Sequence, residues 1–252
     1  MAILKANNSI LKANGKILKA ANRLADLLYY TRFETIDSNF IDTPLVGERV
    51  DYKGTRIEGL YLNNFLPSDN KFLHWQQDFQ QTIKTDIVNL GEDGLEQITI
   101  EYFLIGKGAT DFGSGLDIYL NNKKIMQDNF NALTNRYLRI SGMENLNVQT
   151  FNGCQVISQW GYRCIVPLDL CPNNSIFHRA IVIKKDNTQW HYVNGKLAVI
   201  NTLTREVKNV VQIGRFTGRS ELWVSHSNFA IWSKDRSING GMEYPVPTKP
   251  YF

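Results

Sequence analysis

Apolar and polar positions alternate along most of the chain in short runs, and Gly, Asn or Asp breaks the alternation about every eight to twelve residues. The runs ITIEYFLI (98–105), QVISQW (155–160), FHRAIVIKK (177–185), VVQIG (210–214) and ELWVSHSNFAIW (221–232) are rich in β-branched and aromatic residues and predict strands. Two pairs of runs predict hairpins. LDIYL and KKIMQ (116–127) flank Asn121-Asn122, and QWHYV and KLAVI (189–200) flank Asn194-Gly195. Asn and Gly tolerate the positive φ angles of a two-residue type I′ turn, whose twist suits paired strands. The 177–185 run turns at Asp186-Asn187 into the second hairpin. Beyond residue 30 no segment carries a sustained helical period. The expected fold class is all-β, an antiparallel sandwich or barrel.

The first residues break this pattern. ILKANNS, ILKANGK and ILKAANR follow one another over residues 3–23 as three seven-residue blocks. As strands, each block is a short run plus a turn at Asn7-Asn8, Asn14-Gly15 or Ala21-Asn22. As heptads, Ile3, Ile10, Ile17 and Leu24 share one seam position and Ala6, Ala13, Ala20 and Leu27 the next. Asn and Gly15 weaken the helical form, and Asn-Gly is the strongest short hairpin signal. In either form the pairs Ile3-Leu4, Ile10-Leu11 and Ile17-Leu18 cannot be buried by so short a segment alone. Residues 1–25 are therefore expected to be an anchor and oligomerisation segment, 26–240 the globular domain, and 241–252 a tail. The tail holds three of the seven prolines, so it cannot pair as a central strand and is expected to be extended across a surface or loose.

Composition narrows the function classes. The chain has 252 residues, 43% of them hydrophobic and 21% charged, which suits one large domain. A net charge of +4 without a long basic run gives no nucleic-acid footprint. Lys or Asn interrupts the N-terminal apolar residues every few positions, so no signal peptide is read there. No apolar run reaches membrane-spanning length. Synthesis in a cytoplasm without a secretion signal is expected. Cys154, Cys164 and Cys171 form neither a disulfide framework nor a CxxC site; Cys154 and Cys164 could bridge in an exported protein, and buried thiols are the other reading.

The order of several motifs resembles the concanavalin-A-like and laminin-G-like jelly rolls. They are Thr99-Ile100-Glu101-Tyr102, Phe177-His178-Arg179-Ala180, Tyr192-Val193-Asn194-Gly195, Ile213-Gly214, and the run from Asn228 to Trp232. LLYYTRFETIDSN (27–39) resembles the opening strand of such domains. The resemblance covers about residues 26–237. It implies two antiparallel sheets packed face to face, and residues 116–170 are longer than a minimal member needs. It also implies that a Ca²⁺ ion, where one is bound, would sit on the loop edge near Asp111, Asp117, Asn121 and Asn122; single acidic residues in turns are equally turn formers, and no obligatory cofactor is expected.

Catalytic sets are missing from the sequence. Glycosidases need two carboxylates across the scissile bond, whereas Glu96, Glu101 and Glu221 stand alone among apolar neighbours. His74, His178, His191 and His226 have no zinc spacing, and GKGATDFGSG lacks the ending of a phosphate loop. Carbohydrate binding needs an aromatic face plus amide, carboxylate or guanidinium groups for the hydroxyls. Trp160, Tyr162 and Arg163, near Asn152 and Gln155, form the densest such group; Trp75 and Trp190 are further candidates, and a core position is the alternative for each Trp. A repeated anchor, a lectin-like jelly roll and no catalytic set look like a bacteriophage virion protein, a head or tail fibre. It would be non-enzymatic, held to other virion proteins through residues 1–25 as a homo-oligomer, and would display its jelly roll to a host-surface glycan. A ligand-free fibre or decoration protein and a free-standing lectin or glycosidase are the alternatives.

Overall fold

A computed structural model describes residues 4–6, 9–11, 24–32, 41–51, 57–63, 70–75, 83–90, 95–107, 116–120, 123–130, 136–140, 148–157, 163–170, 176–186, 188–202, 210–215, 223–248 and 251. In chain order its strands are β1 (Leu4–Ala6), β2 (Ser9–Leu11), β3 (Leu27–Thr31), β4 (Ile41–Asp42), β5 (Val50–Asp51), β6 (Ile57–Asn63), β7 (Asn70–Trp75), β8 (Ile83–Asn89), β9 (Gln97–Lys107) and β10 (Leu116–Leu120). They continue as β11 (Lys123–Phe130), β12 (Arg136–Ile140), β13 (Gln149–Thr150), β14 (Gln155–Ile157), β15 (Arg163–Ile165), β16 (Ile176–Lys184), β17 (Thr188–Val193), β18 (Lys196–Thr202), β19 (Val210–Arg215) and β20 (Trp223–Trp232).

Two antiparallel sheets carry the fold. The larger runs β13-β18-β17-β16-β9-β20-β7-β6, with β3 pairing the second half of β20. The smaller runs β14-β15-β12-β11-β10-β19-β8. The expected all-β, antiparallel two-sheet sandwich is what the chain forms. Both anticipated hairpins are present, with Leu120 opposite Lys123 and Val193 opposite Lys196. Asn194 and Gly195 take φ of 46° and 80°, the left-handed pair that a type I′ turn requires. The 116–170 stretch is built into both sheets. It supplies five of the seven described strands of the smaller sheet and, through β13, one strand of the larger.

Strict alternation sorts the side chains. Ile98, Ile100 and Tyr102 of β9, Ile181 and Ile183 of β16, and Phe229 and Ile231 of β20 join Ile118, Leu120 and Ile125 of the smaller sheet in one core between the layers. Tyr102 and Phe229 stack there with ring centroids 5.9 Å apart. Full burial of each large aliphatic or aromatic side chain contributes about 1.5–3 kcal/mol.

The opposite face of the larger sheet is covered as well. Ala180, Val182, Tyr192 and Leu197 pack with Tyr244, and Ala230, Trp232, Leu27 and Tyr30 pack with Tyr251. Thus the residues after Trp232 return across the sheet as a third, irregular layer. They are fastened by backbone bonds at both ends of the crossing: Ser233 N–H donates to Asp26 O at 2.8 Å and Tyr244 N–H to Gly195 O at 2.8 Å. Of the two expectations for the 241–252 tail, the described residues 241–248 and 251 show the crossing.

In the N-terminal repeat, β1 and β2 pair with Leu4 opposite Leu11 and Ala6 opposite Ser9, across Asn7-Asn8. They form a two-stranded sheet of their own. For Leu4–Ala6 and Ser9–Leu11 the strand reading replaces the heptad reading; adjacent Asn residues favour a turn over a helix. Ile3, Ile17 and Leu18 lie outside the described residues. Among the described residues no helix is long and apolar enough to cross a membrane.

Candidate functional site

Glu101 sits mid-strand on β9, on the face under the C-terminal layer, and is 1% exposed. Four side chains donate to it. Trp232 Nε1 and Arg236 Nη1 each reach Oε1 at 2.7 Å, Tyr251 Oη also donates to Oε1, and Tyr244 Oη reaches Oε2 at 2.7 Å. His178 Nε2 stands 3.4 Å from Oε2. The Arg236 guanidinium lies over Trp232, its Cζ 3.8 Å from the ring centroid, and His178 and Tyr244 stack at 5.5 Å. Burial works to raise the Glu101 carboxyl. The adjoining His178, the Arg236 charge and the Tyr251 hydroxyl outweigh it and hold the group below its ordinary value. Burial, then the Glu101 charge, pushes the Tyr244 and Tyr251 hydroxyls up. An ionised carboxylate with both oxygens engaged is suited to fastening the tail, not to passing protons.

A second polar group lies between the sheets. Arg179, Gln189, His191 and Asn201 all point inward from the larger sheet and are fully buried. Gln189 is the register partner of Asn201, His191 Nε2 bonds Gln189 Oε1 at 3.0 Å, and Arg179 donates to Tyr192 O. Burial, with the Arg179 charge behind it, holds His191 well below its ordinary value, so the ring is neutral at physiological pH. Cys154 and Cys164 join the core cluster as buried free thiols, one of the two sequence-based expectations; Cys171 lies outside the described residues.

The third locus is the edge of the smaller sheet. β14 and β15 form its last two strands, with Gln155 opposite Ile165 and Ile157 opposite Arg163. The preceding turn is pinned by Cys154 N–H to Phe151 O at 3.0 Å and Asn152 Nδ2 to Leu197 O at 2.8 Å. Asn152 and Gly153 occupy it with φ of 51° and 76°. Asn152, Gly153, Gln155 and Val156 are exposed. Trp160 and Tyr162 fall between the paired strands and lie outside the described residues, while Arg163 opens β15.

The other candidates are scattered. Trp75 ends β7, opposite Val224 of β20 and Ile57 of β6. Trp190 packs against the outer-layer cluster, with the Lys184 ammonium 4.2 Å from its ring centroid and Gly241 against its edge. The residue is half-buried. Asp117 is not in a turn; it pairs within the sheet with Gln127 and Gly214. Asp111, Asn121 and Asn122 lie outside the described residues. Among the described residues no group of three His, Cys, Asp or Glu side chains is placed to hold a metal. His178 and His191 are both buried in the sheet. Sequence reading missed the Glu101 cluster; its signal was a single carboxylate inside an otherwise apolar strand.

Comparison with known proteins gives a likeness of fold. No family model matches the chain, and no curated protein matches it. A Trypanosoma rangeli sialidase in complex with a difluoro-keto-deoxynononic acid is similar at a TM-score of 0.53 and 10% identity, over 86% of this chain and 31% of that one. The binding domain of botulinum neurotoxin DC in complex with SialylT is similar at 0.46 and 14%, over 83% and 48%. Another sialidase is similar at 0.45 and 11%, over 70% and 17%. The chain spans less than two thirds of each of these structures.

Proposed function

We propose that the chain is a non-enzymatic carbohydrate-binding sandwich whose ligand meets the β14–β15 edge hairpin. The supporting observation is the hairpin itself. Its register sets Ile157 opposite Arg163 in the last two strands of the sheet, Gln155 is exposed in β14, and Trp160 and Tyr162 are the residues that join its strands. An indole or phenol ring stacks on a pyranose face, while amides and a guanidinium bond the hydroxyls or an acidic substituent. The outer face of the larger sheet is less suited, because the chain's own tail occupies that face. The sandwich is shared with the Trypanosoma rangeli sialidase, and a fold admits many functions, so the reading rests on this hairpin.

The same reading makes the N-terminal repeat an attachment segment on a phage particle. The β1–β2 strands pair with each other and, among the described residues, with no strand of the two large sheets, which supports reading them as a separate element. Weak glycan contacts would gain from many displayed copies. The test is a glycan array probed with the intact chain, its Trp160→Ala variant and its Arg163→Ala variant. Binding by the parent, lost in Trp160→Ala at unchanged melting temperature, is the expected result. Binding that survives both substitutions would remove the hairpin as the site.

A further inference from the structure

Three Asn-Gly pairs lie among the described residues, at 152–153, 194–195 and 239–240, and their Asn residues take positive φ of 51°, 46° and 52°. An asparagine followed by glycine can react with itself, because no side chain shields the glycine nitrogen from the neighbouring amide carbon. The three surroundings differ. At Asn194 both ends of the amide are engaged: Oδ1 accepts from His178 N–H at 2.8 Å and Nδ2 donates to Leu170 O at 2.7 Å. Gly195 is buried, and a Cβ there would stand 2.8 Å from Tyr244 O and 2.9 Å from Val246 Cγ2. The 152–153 pair is exposed, but Asn152 Nδ2 donates to Leu197 O at 2.8 Å and a Cβ at Gly153 would meet Pro167 at 3.5 Å. Asn239 and Gly240 are both exposed, and nothing lies within 4 Å of a Cβ at Gly240. Their turn is closed by Gly241 N–H to Ile238 O at 3.0 Å and Met242 N–H to Asn239 O at 3.3 Å, and neither bond uses the Gly240 nitrogen. The Asn239 amide donates to Glu243, a surface carboxylate that also takes the Lys196 ammonium, and water competes for such a contact.

We propose that Asn239 is a self-modification site, at which the folded chain converts its own amide to aspartate and isoaspartate ahead of Asn152 and Asn194. The Gly240 backbone nitrogen passes its proton to solvent and attacks Cγ of Asn239. That carbon expels its amide nitrogen as ammonia, and a five-membered succinimide ring closes between the residues. Water then adds to either ring carbonyl and breaks its bond to the ring nitrogen. One opening leaves aspartate on an unchanged backbone; the other leaves isoaspartate, with an extra carbon in the main chain. One water is consumed, one ammonia leaves, and nothing is oxidised or reduced. The new carboxylate loses the hydrogen bond to Glu243 and faces a second negative charge. The Lys196 ammonium, with the Asn239 amide behind it, holds Glu243 below its ordinary value, so Glu243 is ionised at the neutral and alkaline pH where the reaction runs. The extra carbon lengthens the turn that seats Gly241, whose carbonyl accepts from Tyr192 Oη at 2.8 Å and whose backbone lies against Trp190. Reaction at an exposed position thus loosens the layer that crosses the larger sheet. This inference does not depend on the carbohydrate reading.

The test holds the full, folded chain in mildly alkaline buffer at physiological temperature. Each Asn-Gly peptide is then followed by mass and by chromatography that parts aspartate from isoaspartate. In heavy-oxygen water the 239 peptide should take up one labelled oxygen and give both products. It should convert several-fold faster than the 152 peptide, while the 194 peptide keeps its amide. In denaturant the three rates should converge, because the ranking comes from the fold. Conversion should lower the melting temperature by roughly 2–6 °C, the size expected for a lost surface hydrogen bond and a like-charge contact in a chain of this length. An Asn239→Gln chain held the same way should keep its own starting value. An intact Asn239 after Asn152 or Asn194 has converted would overturn the proposal, as would equal rates at all three in the folded chain. Aspartate at 239 without isoaspartate would rule out the succinimide. An equal fall in melting temperature in Asn239→Gln would break the link to the C-terminal layer. The peptide masses need no variant, so a folding defect cannot hide the answer.

Discussion

Replacing Glu101 by Gln should loosen the C-terminal layer and destabilise the whole sandwich. The amide keeps the volume of the acid. Its oxygen can still accept from Trp232 and Arg236, but its nitrogen takes the place of Oε2, where the Tyr244 hydroxyl now donates at 2.7 Å. That hydroxyl must turn away or reverse its role. The larger loss is electrostatic: Arg236, 2.7 Å from Oε1 with a side chain 19% exposed, keeps its charge and loses its counter-charge. Removing one partner of a buried pair costs about 3–5 kcal/mol, and a hydrogen bond to a charged group contributes about 1.5–3. The partial exposure of Arg236 and the surviving amide bonds bring the expectation to roughly 2–4 kcal/mol. In a chain of this size that lowers the melting temperature by roughly 5–15 °C. Urea denaturation should show a lower midpoint at an unchanged slope. A double-mutant cycle with Arg236→Met should return a coupling above about 1 kcal/mol.

The pH dependence follows from the direction of the Glu101 shift. Its folded value lies below the ordinary 4.5, so the unfolded chain takes up the proton first as pH falls. The stabilisation from the ionised group is fully present above about 4.5 and is lost as pH drops through the lower, folded value. Glu101→Gln should remove that component and flatten the acid limb. A loss below about 1 kcal/mol at neutral pH, or an acid limb identical in the two proteins, would refute the view that this carboxylate fastens the layer.

Two further perturbations separate local geometry from burial. At Gly241, φ is 90° and an added Cβ would lie 2.8 and 2.9 Å from Trp190 Cη2 and Cε3 and nearer still to Cζ3, whereas at Gly240, φ 67°, nothing lies within 4 Å. Gly241→Ala should therefore cost on the order of 2–4 kcal/mol and Gly240→Ala about 1, by thermal denaturation; equal costs would show that Trp190 does not hold the tail. Asn194 accepts from His178 N–H at 2.8 Å and donates to Leu170 O at 2.7 Å, so its side chain ties the hairpin turn to β16 and to the segment after β15. Asn194→Gly keeps the turn's φ and loses both bonds, for about 1–3 kcal/mol, and Asn194→Ala should cost about 1 more; an Asn194→Gly variant as stable as the parent would refute those bonds' contribution.

What the sequence made legible is what nearest neighbours decide. Asn121-Asn122 and Asn194-Gly195 announce their turns because a two-residue loop needs those backbone angles and little else. The alternation of β9 and β16 announces a two-sided sheet because each face has a single environment along the strand. The smaller sheet was harder to see. β12, β14 and β15 are 5, 3 and 3 residues long, too short for alternation to register, and they are held by their partners in the ladder. The sequence predicts one run over 155–160 where β14 is described over Gln155–Ile157, and nothing local announces the pairing of that run with Arg163–Ile165.

The Glu101 cluster was hidden by distance in sequence. Its donors Trp232, Arg236, Tyr244 and Tyr251 follow it by 131, 135, 143 and 150 residues. No periodicity connects such positions, yet two local oddities pointed the same way. A lone carboxylate inside ITIEYFLI costs several kcal/mol to bury unless donors converge on it. A proline-rich tail cannot be fixed by a ladder of backbone bonds and must be held by side chains. The tail carries Tyr244 and Tyr251, with Arg236 and Trp232 just ahead of it, and each deficiency supplies what the other lacks. A buried charge without local partners and an extended segment without a ladder therefore make a pair worth testing together in any sandwich of this kind.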